Sequence, residues 1–218
     1  MNRVSTERPF LIGLTGNIAT GKSAVAAMLA ELGAFTIDAD KVAHQVMRRG
    51  TRVHSQIVES FGTQVLTDCG DVDRKRLGAI VFADERALAR LEAIVHPATL
   101  EAIERLIATT SADVVVIEAI KLIESGLAER CDSVWVTTSL PEQQIERIMD
   151  TRSLSREGAR TRVEAQKSQE ERAARADVVI DNSGSLTKTR AQVLEAWRRV
   201  MERTSGFDES LEMSTPRV

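Results

Sequence analysis

Residues 13–25, GLTGNIATGKSAV, follow the apolar run PFLI at 9–12 and lead into a stretch rich in alanine. Within them Gly16, Gly21, Lys22 and Ser23 fit the spacing GxxxxGK(S/T), which reads as a phosphate-binding loop only where a strand enters it and a helix leaves it. Both flanks have that character. Glycine lets the backbone curl until successive amides point inward at phosphate oxygens, and the following helix adds the positive end of its dipole. In such a loop Gly16, Asn17, Ile18, Ala19, Thr20, Gly21 and Ala24 line the phosphates, Lys22 bridges the outer ones and the Ser23 hydroxyl ligates magnesium. The competing reading, a plain glycine turn, leaves the strand and helix flanks unexplained.

The rest of the chain continues the alternation. PFLIGLT, AFTID, DVVVIEA, SVWVTT and, at 177–181, DVVID are short β-branched or apolar runs separated by helix-like stretches. Runs that are apolar throughout suit strands buried on both faces, and strand-helix alternation suits a parallel sheet covered by helices. An α/β fold with a central parallel five-stranded sheet is expected. With 218 residues, 43% of them hydrophobic and 28% charged, the chain can build a sizeable core in one or two domains. Its net charge of -3 lacks the basic surplus that nucleic-acid binders use to displace counterions. No apolar run approaches the roughly 18 residues that span a bilayer, and PFLIGL lacks the length and cleavage site of a signal peptide. Neither nucleic acid nor membrane is expected as a partner. Cys69 and Cys131 match no disulfide framework or metal spacing, so free thiols and a cytoplasmic setting are expected.

Two long segments break the simple pattern. Between the second and third runs, about 42–110, RALARLEAIV and PATLEAIERLIA place apolar residues three and four apart, and the segment is too long for an ordinary crossover. A helical subdomain set on the sheet is expected, with a helix start at His96 and Pro97, because the residue before proline is pushed out of helical space. From 142 to 175 the chain is charged and arginine-rich. One helix is expected to end near Arg152 and another to begin behind Ser155, with Glu157 in its first turn. Arg156, Arg160 and Arg162 share that second helix with Glu157 and Glu164, the pattern of a solvated face with i,i+3 or i,i+4 pairs. Met47, Met149 and Met201 read as packing, and the final DESLEMSTPRV reads as a frayed tail.

A phosphate loop alone does not separate kinases from switches and motors. No guanine-reading Asn-Lys-x-Asp follows any of the runs. A small-molecule kinase needs a carboxylate near the acceptor hydroxyl, an acceptor pocket and an arginine-bearing lid. In IDADKVAHQV, Asp38 and Asp40 leave the second run at its carboxyl end, where ligands sit in open α/β sheets. Asp40 can take the proton of an attacking hydroxyl or cap the helix that follows, and both can hold.

The segments GLTGNIATGKS, IDADKVAHQV, DVDRKRLGAIVFAD, LEAIVHP, QQIERI, EAQKSQEERAARADVVIDNSGS and QVLEAW, in order from about residue 10 to 200, resemble those of the dephospho-coenzyme A kinases. The resemblance implies ATP and Mg2+, and transfer of the γ-phosphoryl group to the ribose 3′-hydroxyl of dephospho-coenzyme A. It implies a nucleotide-binding core over 8–42, 111–141 and 176–202, an acceptor-binding subdomain over 43–110 and a lid over 142–175, leaving 203–218 as a flexible tail. Asp40 would be the base, with Lys22, Arg147 and Arg152 also catalytic, and Asp38, Asp40, His96, Lys121 and Glu124 would face the acceptor. Asn182 would lie near the adenine, although DNSGS is also an ordinary turn signal, and His96 also suits a structural role. A monomer or weak homo-oligomer is expected.

Three places depart from the family pattern. The family loop reads Gly-Gly-Ile-Gly-Ser-Gly-Lys-Ser, whereas Asn17, Ala19 and Thr20 stand here for Gly, Gly and Ser, with the spacing intact. Where the family has Pro-Leu-Leu-Phe-Glu, IKLIE at 120–124 keeps Glu124 but introduces Lys121, which meets either an acceptor phosphate or solvent. The lid arginine falls on Thr151, with Arg152 one position later; on a helix that is a turn of about 100°, so Arg152 takes the role only if the helix ends there. Two other readings stay open: a related kinase for another nucleotide or nucleoside, and a nucleotide-binding regulatory protein without turnover.

Overall fold

The computed structural model describes residues 8–152 and 154–204. Five strands, β1 (Phe10–Gly16), β2 (Phe35–Asp38), β3 (Val114–Glu118), β4 (Ser133–Thr138) and β5 (Val178–Asp181), pair in parallel in the order β2-β3-β1-β4-β5. These are the five apolar runs of the sequence. Because side chains alternate along a strand, each central strand feeds two cores. Ile12 and Leu14 of β1, Val114 and Val116 of β3 and Trp135 of β4 point to one face, under helices α1 (Lys22–Glu31) and α9 (Leu186–Thr204). Leu11 of β1 and Val115 and Ile117 of β3 point to the other, under α2 (Ala39–Val46) and the second half of α5 (Glu85–Thr109).

The segment between β2 and β3 adds a hydrophobic cluster of its own. Val53, Ile57 and Phe61 of α3 (Arg52–Phe61), Leu77 and Val81 of α4 (Arg74–Val81) and Ala87 and Val95 of α5 close on one another. Each helix is started by a side-chain cap: Asp38, Thr51, Asp73 and Asp84 accept from backbone amides at the heads of α2, α3, α4 and α5. The helix break expected at His96 and Pro97 does not occur. Pro97 sits inside a continuous 25-residue α5. Pro97 and Ala93 both lie on the exposed side, so the Ala93 carbonyl, which loses its i+4 donor to the proline, remains open to water. Buried Val95, Thr99 and Ile103 hold the turns on either side in place.

After β4, α6 (Pro141–Arg152), α7 (Arg156–Glu164) and α8 (Gln169–Ala173) return the chain to β5. α6 ends at Arg152 and Ser155 Oγ accepts from Gly158 N at the head of α7, as the sequence predicts. Arg156 and Arg160 do not pair along α7; both reach back to Glu142 of α6, at 2.7 and 4.0 Å. Of the expected tail, 203 and 204 complete α9 and 205–218 lie outside the described residues. None of the described helices is long and apolar enough to cross a membrane.

Replacing Pro97 by alanine restores a backbone donor at an exposed helical position. Pro97→Ala should stabilise the fold by up to about 3 kcal/mol in denaturant titrations; an unchanged or lowered midpoint would mean that α5 depends on the proline.

Candidate active site

The loop between β1 and α1 is bent by two glycines that no other residue can replace. Gly16 has φ 153°, and a Cβ there would lie 2.3 Å from Thr137 Oγ1; Gly21 has φ 93°, and a Cβ would lie 1.8 Å from Asn182 Nδ2. Ala19, where the family pattern has glycine, holds a left-handed φ of 58°. Its methyl, together with Ile18, packs against Ile145 and Ile148 of α6 and Ala159 of α7, apolar contact that offsets the roughly 1–2 kcal/mol cost of that conformation.

Hydrogen bonds fix the loop from several sides. Asn182, just past β5, donates from Nδ2 to Thr20 O (3.0 Å) and accepts from Thr189 Oγ1 (2.8 Å). Arg147 of α6 donates to Ala19 O and to Asn182 O, both at 3.0 Å. Thr20 Oγ1 donates to Asn17 O (2.8 Å) and meets Thr137 Oγ1 at 2.7 Å. From the connection between α7 and α8, Gln166 Oε1 accepts from Ile18 N (2.7 Å), and Lys167 O accepts from Asn17 Nδ2 (2.9 Å). The Asn182 side chain is therefore buried beneath the loop, gripping it, rather than aimed at a base edge.

Lys22 is buried, its Nζ donating to Gly16 O (3.0 Å) and Asn17 O (3.3 Å). Burial lowers its pKa; Glu118 and Asp40 pull the other way, while the Arg172 and Arg152 cations add to the lowering. Four groups from four different elements thus act on one ammonium. Glu118, the last residue of β3, accepts from Ser23 Oγ at 3.2 Å, and burial raises its pKa against the opposing pull of Lys22 and Ser23. On the neighbouring strand end Asp38, not Asp40, is the cap of α2: it accepts from Lys41 N (2.9 Å) and pairs with Lys41 Nζ (3.0 Å). Asp40 stands exposed in the first turn, free of the capping duty.

The remaining expected residues have other partners. Glu124 pairs with Arg172 of α8 at 2.7 Å, and that buried guanidinium also donates to Ile120 O at 2.8 Å, so the pair ties α8 to the segment after β3. Lys121 meets Glu92 of α5 at 3.2 Å. His96 is half-buried on α5, whose Val95 and Ala98 belong to the insertion's own cluster. Arg152 is exposed as the final residue of α6, while Thr151 Oγ1 turns back to Arg147 O at 2.6 Å. Sequence reasoning passed over Glu118, a carboxylate ending a strand as Asp38 does, and Arg172, hidden in a charged run with no local sign of burial.

The residues present fit a magnesium nucleotide. A curled loop whose glycines exclude a Cβ is joined to a helix start whose Lys22 and Ser23 amides have no intrahelical acceptor. The Ser23 hydroxyl beside the Glu118 carboxylate is the hard-oxygen pair that Mg2+ prefers. Among the described residues no group of three or more His, Cys, Asp or Glu could hold a metal alone, and magnesium in phosphoryl-transfer sites takes few protein ligands beside substrate phosphates.

Gly21→Ala forces a Cβ into Asn182 at a left-handed φ. It should cost about 1–3 kcal/mol of stability and abolish ATP binding in calorimetry; normal ATP affinity would show that the loop tolerates rearrangement. The raised pKa of Glu118 means that this group favours the fold when protonated. Its contribution is complete below its ordinary 4.5 and is lost as pH rises through the higher folded value. Glu118→Gln should therefore gain stability relative to wild type as pH rises above 4.5, while losing activity; parallel stability curves over that rise would contradict the assigned shift.

Comparison with known proteins identifies the family. The family "Dephospho-CoA kinase" matches residues 10–188. A dephospho-CoA kinase of Thermobifida fusca is 45% identical over 193 residues, covering 88% of this chain and 96% of the relative. Among solved structures, one from Thermus thermophilus superposes with a TM-score of 0.81 at 32% identity, covering 89% of this chain and 99% of its own. The dephospho-CoA kinase from Campylobacter jejuni gives 0.63 at 30% identity, covering 90% and 98%. With that match running through the phosphate loop, the helical insertion and β5, the chain belongs to the dephospho-CoA kinase family.

Proposed function

We propose that this protein transfers the γ-phosphoryl group of ATP to the ribose 3′-hydroxyl of dephospho-CoA, giving CoA and ADP. The observation that carries the reading is the joining of two features by one short helix. The phosphate loop lies beside Asp38 and Asp40, and α2, which those aspartates open, leads directly into the helical insertion on the sheet. A nucleotide on the loop and an acceptor on the insertion would meet at Asp40.

In this reading Asp40 accepts the proton of the 3′-hydroxyl as its oxygen bonds to the γ-phosphorus. The bond from that phosphorus to the ADP oxygen breaks, and ADP leaves with the electron pair. Lys22 leaves the loop carbonyls for the β- and γ-phosphate oxygens, and Arg152 adds positive charge from the end of α6. Magnesium, held by Ser23 and oriented with Glu118, would neutralise phosphate charge. Asn182 and Arg147 keep the loop amides in register, while Glu124 and Arg172 position the segment after β3.

The test is ADP release by purified protein with Mg-ATP, offering dephospho-CoA beside adenosine and nucleoside monophosphates. Turnover should be specific to dephospho-CoA. Lys22→Ala should lower kcat by about 10²–10³-fold and Asp40→Asn by about 10²–10⁴-fold with ATP still bound. Wild-type rates in either variant would refute the assignment, and turnover with another acceptor alone would redirect the reading to a different nucleotide kinase.

A further inference from the structure

The phosphate loop divides into two halves held by different parts of the fold. Thr20 and Gly21 belong to the sheet: Thr20 Oγ1 meets Thr137 Oγ1 of β4 at 2.7 Å, and Asn182 Nδ2, close against Gly21, donates to Thr20 O at 3.0 Å. Asn17, Ile18 and Ala19 belong instead to the arm formed by α6, α7 and α8. Ile18 and Ala19 pack into the cluster of Ile145, Ile148 and Ala159, with Leu154 and Val163 beside them.

Two hydrogen bonds from the connection between α7 and α8 complete the attachment. Gln166 Oε1 accepts from Ile18 N at 2.7 Å, while its Nε2 donates to Arg162 O, in the last turn of α7, at 3.2 Å. One side-chain amide thus serves a carbonyl at the end of α7 and a backbone amide of the loop, and these two partners fix which end of it is oxygen. The Ile18 amide is committed to the arm. The second bond runs the other way, from Asn17 Nδ2 to Lys167 O at 2.9 Å.

Asn17 stands where the family pattern has glycine, and its side chain is buried. Among the described residues its Oδ1 has no hydrogen-bond partner. Burying that oxygen is unfavourable, a cost that glycine would not carry, and the tie to Lys167 O is what the side chain sets against it. The backbone carbonyl of the same residue accepts from Thr20 Oγ1 (2.8 Å) and Lys22 Nζ (3.3 Å). One residue therefore joins the arm, the loop and the ammonium that is to meet the phosphates.

Resting on the function proposed above, in which this loop takes the phosphates of ATP, we infer that Asn17 and Gln166 are positioning residues for ATP. They act through Lys167 O and Ile18 N, fastening the arm to residues 17–19 so that the first half of the loop keeps the shape that receives phosphate. The affinity of the loop for nucleotide is then set in part by α7 and α8. By linkage the effect is reciprocal, and nucleotide on the loop steadies the arm.

The experiment titrates a non-hydrolysable ATP analogue with Mg2+ into wild type, Asn17→Ala, Asn17→Gly, Gln166→Met and the N17A/Q166M double variant, by calorimetry. Each single loss should weaken analogue binding about two- to tenfold, the span of one neutral hydrogen bond. Both ties hold the same connection, so the double variant should lose less than the product of the single losses. Amide hydrogen exchange reads the tie itself: Ile18 N–H should exchange faster in Gln166→Met, whereas Gln166→Glu, which keeps the acceptor oxygen, should protect it as wild type does. In Gln166→Met the KM for dephospho-CoA should stay within about twofold, a split that general loosening of the fold would not give. Unchanged analogue affinity in Asn17→Ala and Gln166→Met, or a fully multiplicative double variant, overturns the positioning role. So does a loss confined to Asn17→Gly, which would belong to backbone freedom. The binding readouts need no acceptor, so wild type that binds the analogue without phosphorylating dephospho-CoA overturns the proposed function alone. Wild type that does not bind the analogue overturns both.

Discussion

The bond from Asn182 Nδ2 to Thr20 O holds together parts of the chain that lie 162 residues apart. It sets the end of β5 beneath the loop that follows β1, so closely that Gly21 has no room for a Cβ. Arg147 then spans Ala19 O and Asn182 O, adding α6 to the same joint. Amides can be aimed at phosphate only if the peptide planes carrying them are fixed beforehand, and here the fixing groups come from outside the loop. The departures from the usual family loop fit this arrangement. Buried Thr20 offers a hydroxyl to Asn17 and Thr137, and Ala19 adds a methyl to the cluster under α6 and α7.

Burial dominates the electrostatics of the site. Lys22 is buried against carbonyl oxygens, Glu118 is buried near it, and each is pushed by desolvation toward neutrality. Neither group is in the setting that would stabilise its charge best. Phosphate oxygens beside Lys22 would favour its charged form, as Glu118 and Asp40 already do. Such a cost is the usual relation between a functional site and the stability of the fold around it.

How much of this was legible in the sequence differs from element to element for physical reasons. The central strands β1, β3 and β4 were legible because burial on both faces demands unbroken apolar runs, and the loop because its backbone calls for glycine. The end of α6 at Arg152 and the start of α7 behind the capping Ser155 were legible. Pro97 misled because pre-proline preference is local, whereas α5 is held by buried residues on either side of the proline. Arg172 was passed over, since nothing within a few residues announces that Glu124, 48 positions earlier, will cover it. Asn182 could be assigned to the site but not to its task, which depends on strand order rather than on sequence spacing.

α5 belongs to two cores at once. Val95 is buried in the cluster of the insertion and Ile103 in the cluster beneath the sheet, along a helix about 37 Å long. Two cores that share a strut cannot melt independently, because unwinding α5 removes a wall from each. The insertion is therefore part of the cooperative folding unit of the sheet rather than an appended module. A substitution in the remote cluster, at Phe61 or Leu77, would be felt as a loss of stability by the phosphate loop itself.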